Sequence, residues 1–498
     1  MNDNFKDSGT QSVSGLRKEI KTRHFFTFAF GAIIGIGWIM VLGEWLQLAG
    51  PLGAILGFAG GTLVIMAVGL CYAEMASLLP VSGGEVAYAY EVFGIRTSFL
   101  VGWFLILAYT AVTAFEAISI GWIIGTIFPG LKGAVLYSVG GYQIRLGSLI
   151  LGLGGMALLT YLNYRGIKWA AIFQEIFTYG LIILSAVFIL AGLIWGKTGN
   201  LEPLFSRSGT GPVLGGILAI FMTVPNWLAG FNIIPQTIEE KSPNASLRSA
   251  ARMILLSIGI AGCYYMLVIL SASMAGPWKD VVSMELPAAG AFEAAFHSPL
   301  MARIVLFAGL CGMITTWNPV FIGASRIIFA LGRARIIPSA FGKIHPVFGT
   351  PLNSIFFVGM IGSLVALLGR SAILPIVNVV SSCFALAFFL TCMAAIKLRR
   401  IRPEQHRPYR IPGGQITAAI ASLSCLFMLF LSLYQPYKAG GAFPKEWAFI
   451  LGWALLGLLL WILGHKIRTA VSERERRILI LGSDIFSNEI RGRTKESD

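Results

Sequence analysis

The sequence predicts an all-α integral membrane protein with twelve transmembrane helices. Three observations carry this reading. Hydrophobic residues make up 56% of the chain and charged residues only 12%, too few charges to coat a soluble fold of this length. Apolar runs of about 20 residues, the length that crosses a hydrocarbon core, recur along almost the whole chain. Lysine and arginine gather in alternate connections between those runs.

Runs bounded by glycine, proline and charge place the helices at 25–48, 52–79, 98–128, 148–164, 169–195, 212–238, 251–275, 301–332, 353–369, 372–396, 414–436 and 447–465. With the N-terminus inside, Lys132, Arg145, Lys197, Arg207, Lys279, Arg303, Arg370, Lys438 and Lys445 fall outside, and the rest of the 38 basic residues fall inside. This asymmetry predicts two cytoplasmic termini. It also explains the net charge of +15 as topology, with some attraction to anionic lipid, and removes the nucleic-acid reading. The N-terminal stretch is polar, with no apolar run and small-residue cleavage site, so no signal peptide is expected. The six cysteines fall in apolar runs without metal-ligand spacing and read as buried packing residues. The segment SERERRILILGSDIF (472–486) reads first as part of a solvated tail, and second as a short amphipathic helix on the membrane surface.

The first segment contains FGAIIGIGWIM (30–40), with Gly31, Gly35 and Gly37 in its interior. Each glycine costs a helix about 1 kcal/mol against alanine. The sixth segment reads FMTVPNWLAGFNIIPQTIEE (221–240) and is interrupted by Pro225, Gly230 and Pro235. Two interrupted segments at corresponding positions of two oppositely oriented halves point to a transporter binding site. Unpaired backbone groups at membrane depth are tolerated only where protein or a watery cavity covers them. A break near 33–37 presents the positive N-terminal end of a half-helix, which suits a carboxylate. Carbonyls on the preceding turn, and those near Asn226 and Ala229, suit an ammonium group. Close packing through small residues is the competing reading of the first segment alone; the matched break in the sixth favours the binding site.

These residues resemble the amino acid–polyamine–organocation transporter superfamily, in its bacterial amino acid permease type. Gly35-Ile36-Gly37 is similar to that family's break in helix 1. YAEMASLLPVSGGEVAYAYEVFG (72–94) is similar to its signature between helices 2 and 3. AGFNIIPQTIEEKSPN (229–244) is similar to its helix 6 motif, and ASRIIFALGRARIIPSAFGKIHPVFGTPLNS (324–354) to its helix 8 to helix 9 segment. The resemblance covers residues 25 to about 400. It implies a five-plus-five inverted repeat in helices 1–10 with helices 11 and 12 appended. The chain then divides into a cytoplasmic tail (1–23), a ten-helix transport core (24–398), a loop with the last two helices (399–465) and a second tail (466–498). It further implies alternating access and substrate contacts at the backbone of Ile33, Gly35, Ile36 and Gly37 and at Asn226, Ala229 and Gly230, with Trp227 as an aromatic lid or a packing residue. Three departures stand out. Ile36 occupies a place where a hydroxyl is frequent. Asn232 replaces the usual acid after Gly-Phe. The helix 5 lysine that stands in for sodium in some relatives is absent, its place falling near Leu181.

Ionisable groups at membrane depth are functional suspects. Glu116 reads either as a buried structural partner or as a titrating group, and Glu44 as an exposed acid or part of an outer vestibule. Glu175 is a proton-relay candidate. Tyr109 either faces the site or packs. Thr315 and Thr316 either supply hydroxyls to a sodium ion or bond their own helix. Glu74 and Glu85 flank the turn Pro80–Gly84, and Glu239 and Glu240 with Lys241 and Arg248 read as gate charges. No histidine pair has metal spacing, and no phosphate-binding glycine loop is present, so neither ATP hydrolysis nor a dinucleotide site is expected. The expected protein is an inner-membrane permease without cofactor or covalent chemistry. Its partners are a small substrate and the bilayer, and proton, sodium or exchange coupling is left open. Neutral amino acids come first as substrates and polyamines or other amines second; an amino-acid-sensing receptor is the rival from another class.

Overall fold

The computed structural model describes residues 15–206, 213–284, 286–369, 373–440 and 443–482. The chain winds through α1 (Thr22–Ile33), α2 (Gly37–Leu78), α3 (Glu85–Phe93) and α4 (Ile95–Ile127). A hairpin of β1 (Val135–Val139) and β2 (Tyr142–Arg145) precedes α5 (Leu146–Arg165) and α6 (Ile167–Trp195). Then come α7 (Val213–Trp227), α8 (Ile233–Thr237), α9 (Leu247–Ala275), α10 (Trp278–Val281), α11 (Pro287–Phe296) and α12 (Pro299–Arg333). The chain continues with α13 (Leu352–Ala366), α14 (Ile373–Ile401), α15 (Gly414–Gly440), α16 (Lys445–Leu463), α17 (His465–Thr469) and α18 (Glu473–Leu481).

Among the described residues, nine helices are long and apolar enough to cross a membrane. The difference from the twelve expected has a local cause at each place. The boundary between the first two segments is a kink inside α2, where Pro51 lacks an N–H and Gly50 turns to φ 72°. The chain at 204–206 covers that kink: Ser206 N–H donates to the Ala49 carbonyl at 3.1 Å, and Leu52 N–H to Leu204 at 3.0 Å. The sixth segment is broken and leaves only α7 and the short α8, and the ninth yields the shorter α13.

The bundle packs α2 against α7 and α9, and α12 against α1, α4 and α6. Inside it runs a chain of amides. Asn163 Nδ2 donates to Asn318 Oδ1 at 3.2 Å, and Asn318 Nδ2 to Gln174 Oε1 at 3.2 Å. Gln174 Nε2 then donates to the carbonyls of Thr27 at 3.0 Å and Thr315 at 2.8 Å. In a hydrocarbon setting such amides act as cross-links, because no water competes for them.

Several elements are new to the structure. α3 lies at one end of the bundle and the hairpin at the other. The tail reading of 472–486 is corrected over its described part. α18 docks on α3 and on the end of α12, with Ile480 and Leu481 buried. Ser472 caps it by accepting the Glu475 N–H at 3.2 Å. Residues 483–486 lie outside the described residues. Four cysteines are buried as expected, but Cys311 is half-buried and Cys263 exposed on the bundle's flank. Ile20, near the N-terminal end of the described chain, donates to the Glu240 carbonyl at 2.9 Å. The N-terminal segment and α18 therefore sit at the same end as α3.

One buried ion pair fixes this end. Arg326 on α12 grips Glu240 with two bonds, 2.7 and 3.0 Å long, the side chains 0% and 1% exposed. Burial pushes the Glu240 carboxyl up, and the Arg326 guanidinium opposes that shift. Removing one partner leaves an uncompensated buried charge. Arg326→Ala is expected to cost about 3–5 kcal/mol, read as a lowered thermal midpoint in detergent, and Arg326→Met with Glu240→Leu to recover much of it.

Candidate functional site

The first segment stops being helical where its glycines stand. α1 ends at Ile33, and α2 restarts at Gly37 after Ile34, Gly35 and Ile36. Ile34 N–H still reaches the Phe30 carbonyl at 3.0 Å, but Gly35 N–H turns back to Ile33 at 3.2 Å. The amides of Gly37 and Trp38, as the first of a new helix, have no intrahelical carbonyl to bond.

The sixth segment breaks to match. α7 ends at Trp227, a turn covers 228–232, and α8 begins at Ile233. Gly230 takes φ 131°, a conformation side chains disfavour, and a β-carbon there would lie 2.7 Å from the Ala32 carbonyl carbon and 2.8 Å from the Ile33 nitrogen. The two breaks are therefore in backbone contact. This is a reason for glycine beyond flexibility.

The remaining walls come from α12, α4, α9 and two tryptophans. Gly312 of α12 admits the carbonyls of Ile34 and Gly35, its β-position only 3.0 and 2.9 Å from their oxygens. The Trp227 ring covers Gly37, where a β-carbon would sit 2.2 Å from it. Trp227 stands edge-on to Trp45 at 5.3 Å, Trp45 edge-on to Tyr265 at 5.9 Å, and the Tyr265 hydroxyl donates to the Ile33 carbonyl at 3.1 Å. The buried Trp227 Nε1 has no hydrogen-bond partner among the described residues. On α4, Glu116 is buried with Oε1 3.5 Å from the β-position of Gly35, and its Oε2 is likewise unpartnered.

The other expected residues separate into groups. Ala229 and Gly230 are buried in the turn, Asn226 is half-buried at the end of α7, and Ile36 packs its side chain on Gly309. Asn232 leads away from the break: it accepts Gly230 N–H at 3.3 Å and donates to Glu85 at 3.2 Å. Tyr109 is buried two turns from Glu116, beside Phe384 and Gly323. Thr316 donates to the Gly31 carbonyl at 3.1 Å, joining α12 to α1, whereas Thr315 bonds its own helix at Gly312. Glu44 is exposed on α2. Glu175 is paired with Arg23 at 3.0 Å and His24 at 3.4 Å, at the α3 end and away from the break.

That end carries a network sequence reasoning saw only in outline. Glu239 pairs with Arg333 at 3.0 Å and accepts the Ser82 N–H at 2.7 Å. Glu239 and Glu240 thus meet arginines of α12, while Lys241 donates to the Ser242 and Ala245 carbonyls. Glu74 holds Arg399, Arg407 and the Ile411 N–H. Gln174 and Tyr265 were missed altogether. Their signal was polarity inside apolar runs, but nothing in the sequence said which neighbour each would meet.

Two discontinuous segments in mutual contact inside a polytopic bundle are the arrangement on which membrane transporters build their sites. The chain belongs to the amino acid permease family, whose model matches residues 20–459; these are transporters, not enzymes. It is similar to the branched-chain amino acid permease of Bacillus subtilis, 29% identical over 494 residues, covering 94% of this chain and 97% of the relative. It is also similar to the methylthioribose transporter of the same organism, 24% identical over 476 residues (92% and 95% covered). The human Asc-type amino acid transporter 1 is 25% identical over 444 residues (87% and 81% covered).

Gly37→Leu would drive a branched side chain into the Trp227 ring. It is expected to abolish substrate binding, measured by scintillation proximity on purified protein, while circular dichroism retains the native helix content.

Proposed function

We propose that this chain is a secondary transporter moving a neutral amino acid across the cytoplasmic membrane by alternating access. Its scaffold on this reading has twelve spans, with segments 1–5 and 6–10 as an inverted five-plus-five repeat. The observation that carries this is the backbone contact between the two breaks, five segments apart. A zwitterion fits there. Its carboxylate meets the amides of Gly37 and Trp38 at the positive end of α2. Its ammonium faces carbonyls of the Ile33 and Ala229 turns, and the Trp227 ring closes over its side chain. The α3 end is cytoplasmic, because the basic connections gather there; both termini then lie inside. The names of the relatives support amino acids, and the branched-chain permease supports an apolar side chain.

A proton is the coupling ion on this reading. The carbonyls and hydroxyls that would ligate sodium between α1 and α12 are already engaged: Thr316 bonds Gly31, and the Gln174 amide bridges Thr27 and Thr315. Glu116, aimed at Gly35, is the titratable group nearest the break.

The test is purified protein in liposomes, given labelled amino acids, polyamines and methylthioribose under separately imposed proton and sodium gradients. A neutral amino acid is expected to accumulate under the proton gradient alone. Accumulation of only the amines or the thiosugar overturns the substrate, sodium dependence overturns the ion, and binding without uptake overturns transport in favour of a receptor.

A further inference from the structure

Glu85 opens α3, and nothing assigned to the break uses it. Its side chain is buried. It accepts the Tyr72 hydroxyl from α2 at 3.1 Å, the Asn232 amide at 3.2 Å and the Gln236 amide from α8. All three donors are neutral, and among the described residues no lysine or arginine pairs with it. The titratable groups around it are Tyr72 on α2, Tyr88 on α3 itself, Tyr109 on α4 and, beyond Tyr72, Cys392 on α14. The acids that follow α8 are committed elsewhere, Glu239 to Arg333 and Glu240 to Arg326. One acceptor stands ready beside the carboxyl: Gln236 Oε1 is buried without a hydrogen-bond partner.

A carboxylate held only by neutral donors depends on its own charge for the strength of its bonds. Charge-assisted bonds are about twice as strong as neutral ones. Burial raises the Glu85 carboxyl to about 7, with the bonds from Asn232 and Tyr72 pulling the other way. Its protonation therefore changes in the range where cells work.

We propose that Glu85 is a proton-linked positioning residue for the sixth segment: ionised, it ties α8 to α2 and α3 and holds the inner gate shut; protonated, it loosens α8. The inference rests on the permease reading and names the group through which a proton acts on that site. In the proton step an O–H bond forms at Glu85 Oε2. After a half-turn of its amide, Gln236 accepts that O–H at Oε1, so Gln236 Nε2 gives up its bond to the carboxylate. Asn232 and Tyr72 are left donating to a neutral carbonyl. In the return step the proton leaves for cytoplasmic water and the three bonds re-form. Asn232 carries the change to the substrate, because its Oδ1 takes the N–H of Gly230, the residue that lies against Ile33.

The experiment compares gradient-driven uptake with counterflow exchange at equal pH, in liposomes holding the full-length chain. Native uptake is expected to fall by up to about tenfold per pH unit above 7. Glu85→Gln is expected to keep counterflow and lose both the pH dependence and the response to the proton gradient, and Glu85→Asp to restore them. If Glu85→Gln fails to reach the membrane, Asn232→Asp carries the test: a second carboxylate beside the first moves the midpoint of the profile to higher pH. Undiminished proton-driven accumulation by Glu85→Gln, or an unmoved midpoint in Asn232→Asp, overturns the role of Glu85 and leaves the permease standing. A native chain that neither takes up nor exchanges any amino acid overturns the permease and this inference together.

Discussion

A bilayer offers no water to a backbone group that has lost its partner, and the rest of this structure follows from that. Each interruption of a spanning helix must be covered from within the protein. Here the two breaks cover one another. Gly230 lies on the Ala32–Ile33 backbone, Gly312 makes room for the carbonyls of Ile34 and Gly35, and Tyr265 and Thr316 reach across to Ile33 and Gly31. Two helices, α9 and α12, and the turn of the sixth segment thus converge on the break in the first. The groups left over are the first amides of α2, which have no intrahelical carbonyl, and Glu116 Oε2, which has no partner among the described residues.

The cross-links around the breaks differ in kind from those at the α3 end. Near the breaks they are neutral: amides, hydroxyls and aromatic edges from Gln174, Asn318, Tyr265 and Trp45. At the α3 end they are ionic, built on Glu74, Glu91, Glu239 and Glu240 with arginines of α12, α14 and α18. Glu85 sits between the two zones, a carboxyl without a cation among the described residues. Exchangeable strength belongs at such a boundary: a neutral bond there is too weak to latch a gate, and a buried ion pair too costly to open.

The breaks were legible in the sequence because glycine and proline act locally. Gly35, Gly37 and Gly230 stand where a helix stops or restarts, whereas Pro225 and Pro235, expected to interrupt the sixth segment, lie inside α7 and α8 on either side of its turn. The nine long apolar helices among the described residues were legible because length and polarity decide them. What did not show was pairing at a distance. Tyr72, Glu85, Asn232 and Gln236 lie on three segments, and only the fold puts them within one hydrogen-bonding shell. Glu239 and Glu240 were read with the basic residues next to them, while their partners lay some ninety residues on in α12. Glu175, a proton-relay candidate from the sequence, meets Arg23 from the start of α1, a neighbour that its own segment does not reveal. α18 read first as a solvated tail because its first five residues are all charged; packing buries Ile480 and Leu481 and turns Arg476 onto backbone carbonyls.

The docking of α18 has a consequence for how the molecule is made. Its Arg477 shares Glu91 with Arg402, and Arg333 bonds both Glu239 and the Ile480 carbonyl. α18 is translated after α16, so its contacts with α3 and α12 close only once the helices they join have been made. The α3 end is sewn up by a late stitch.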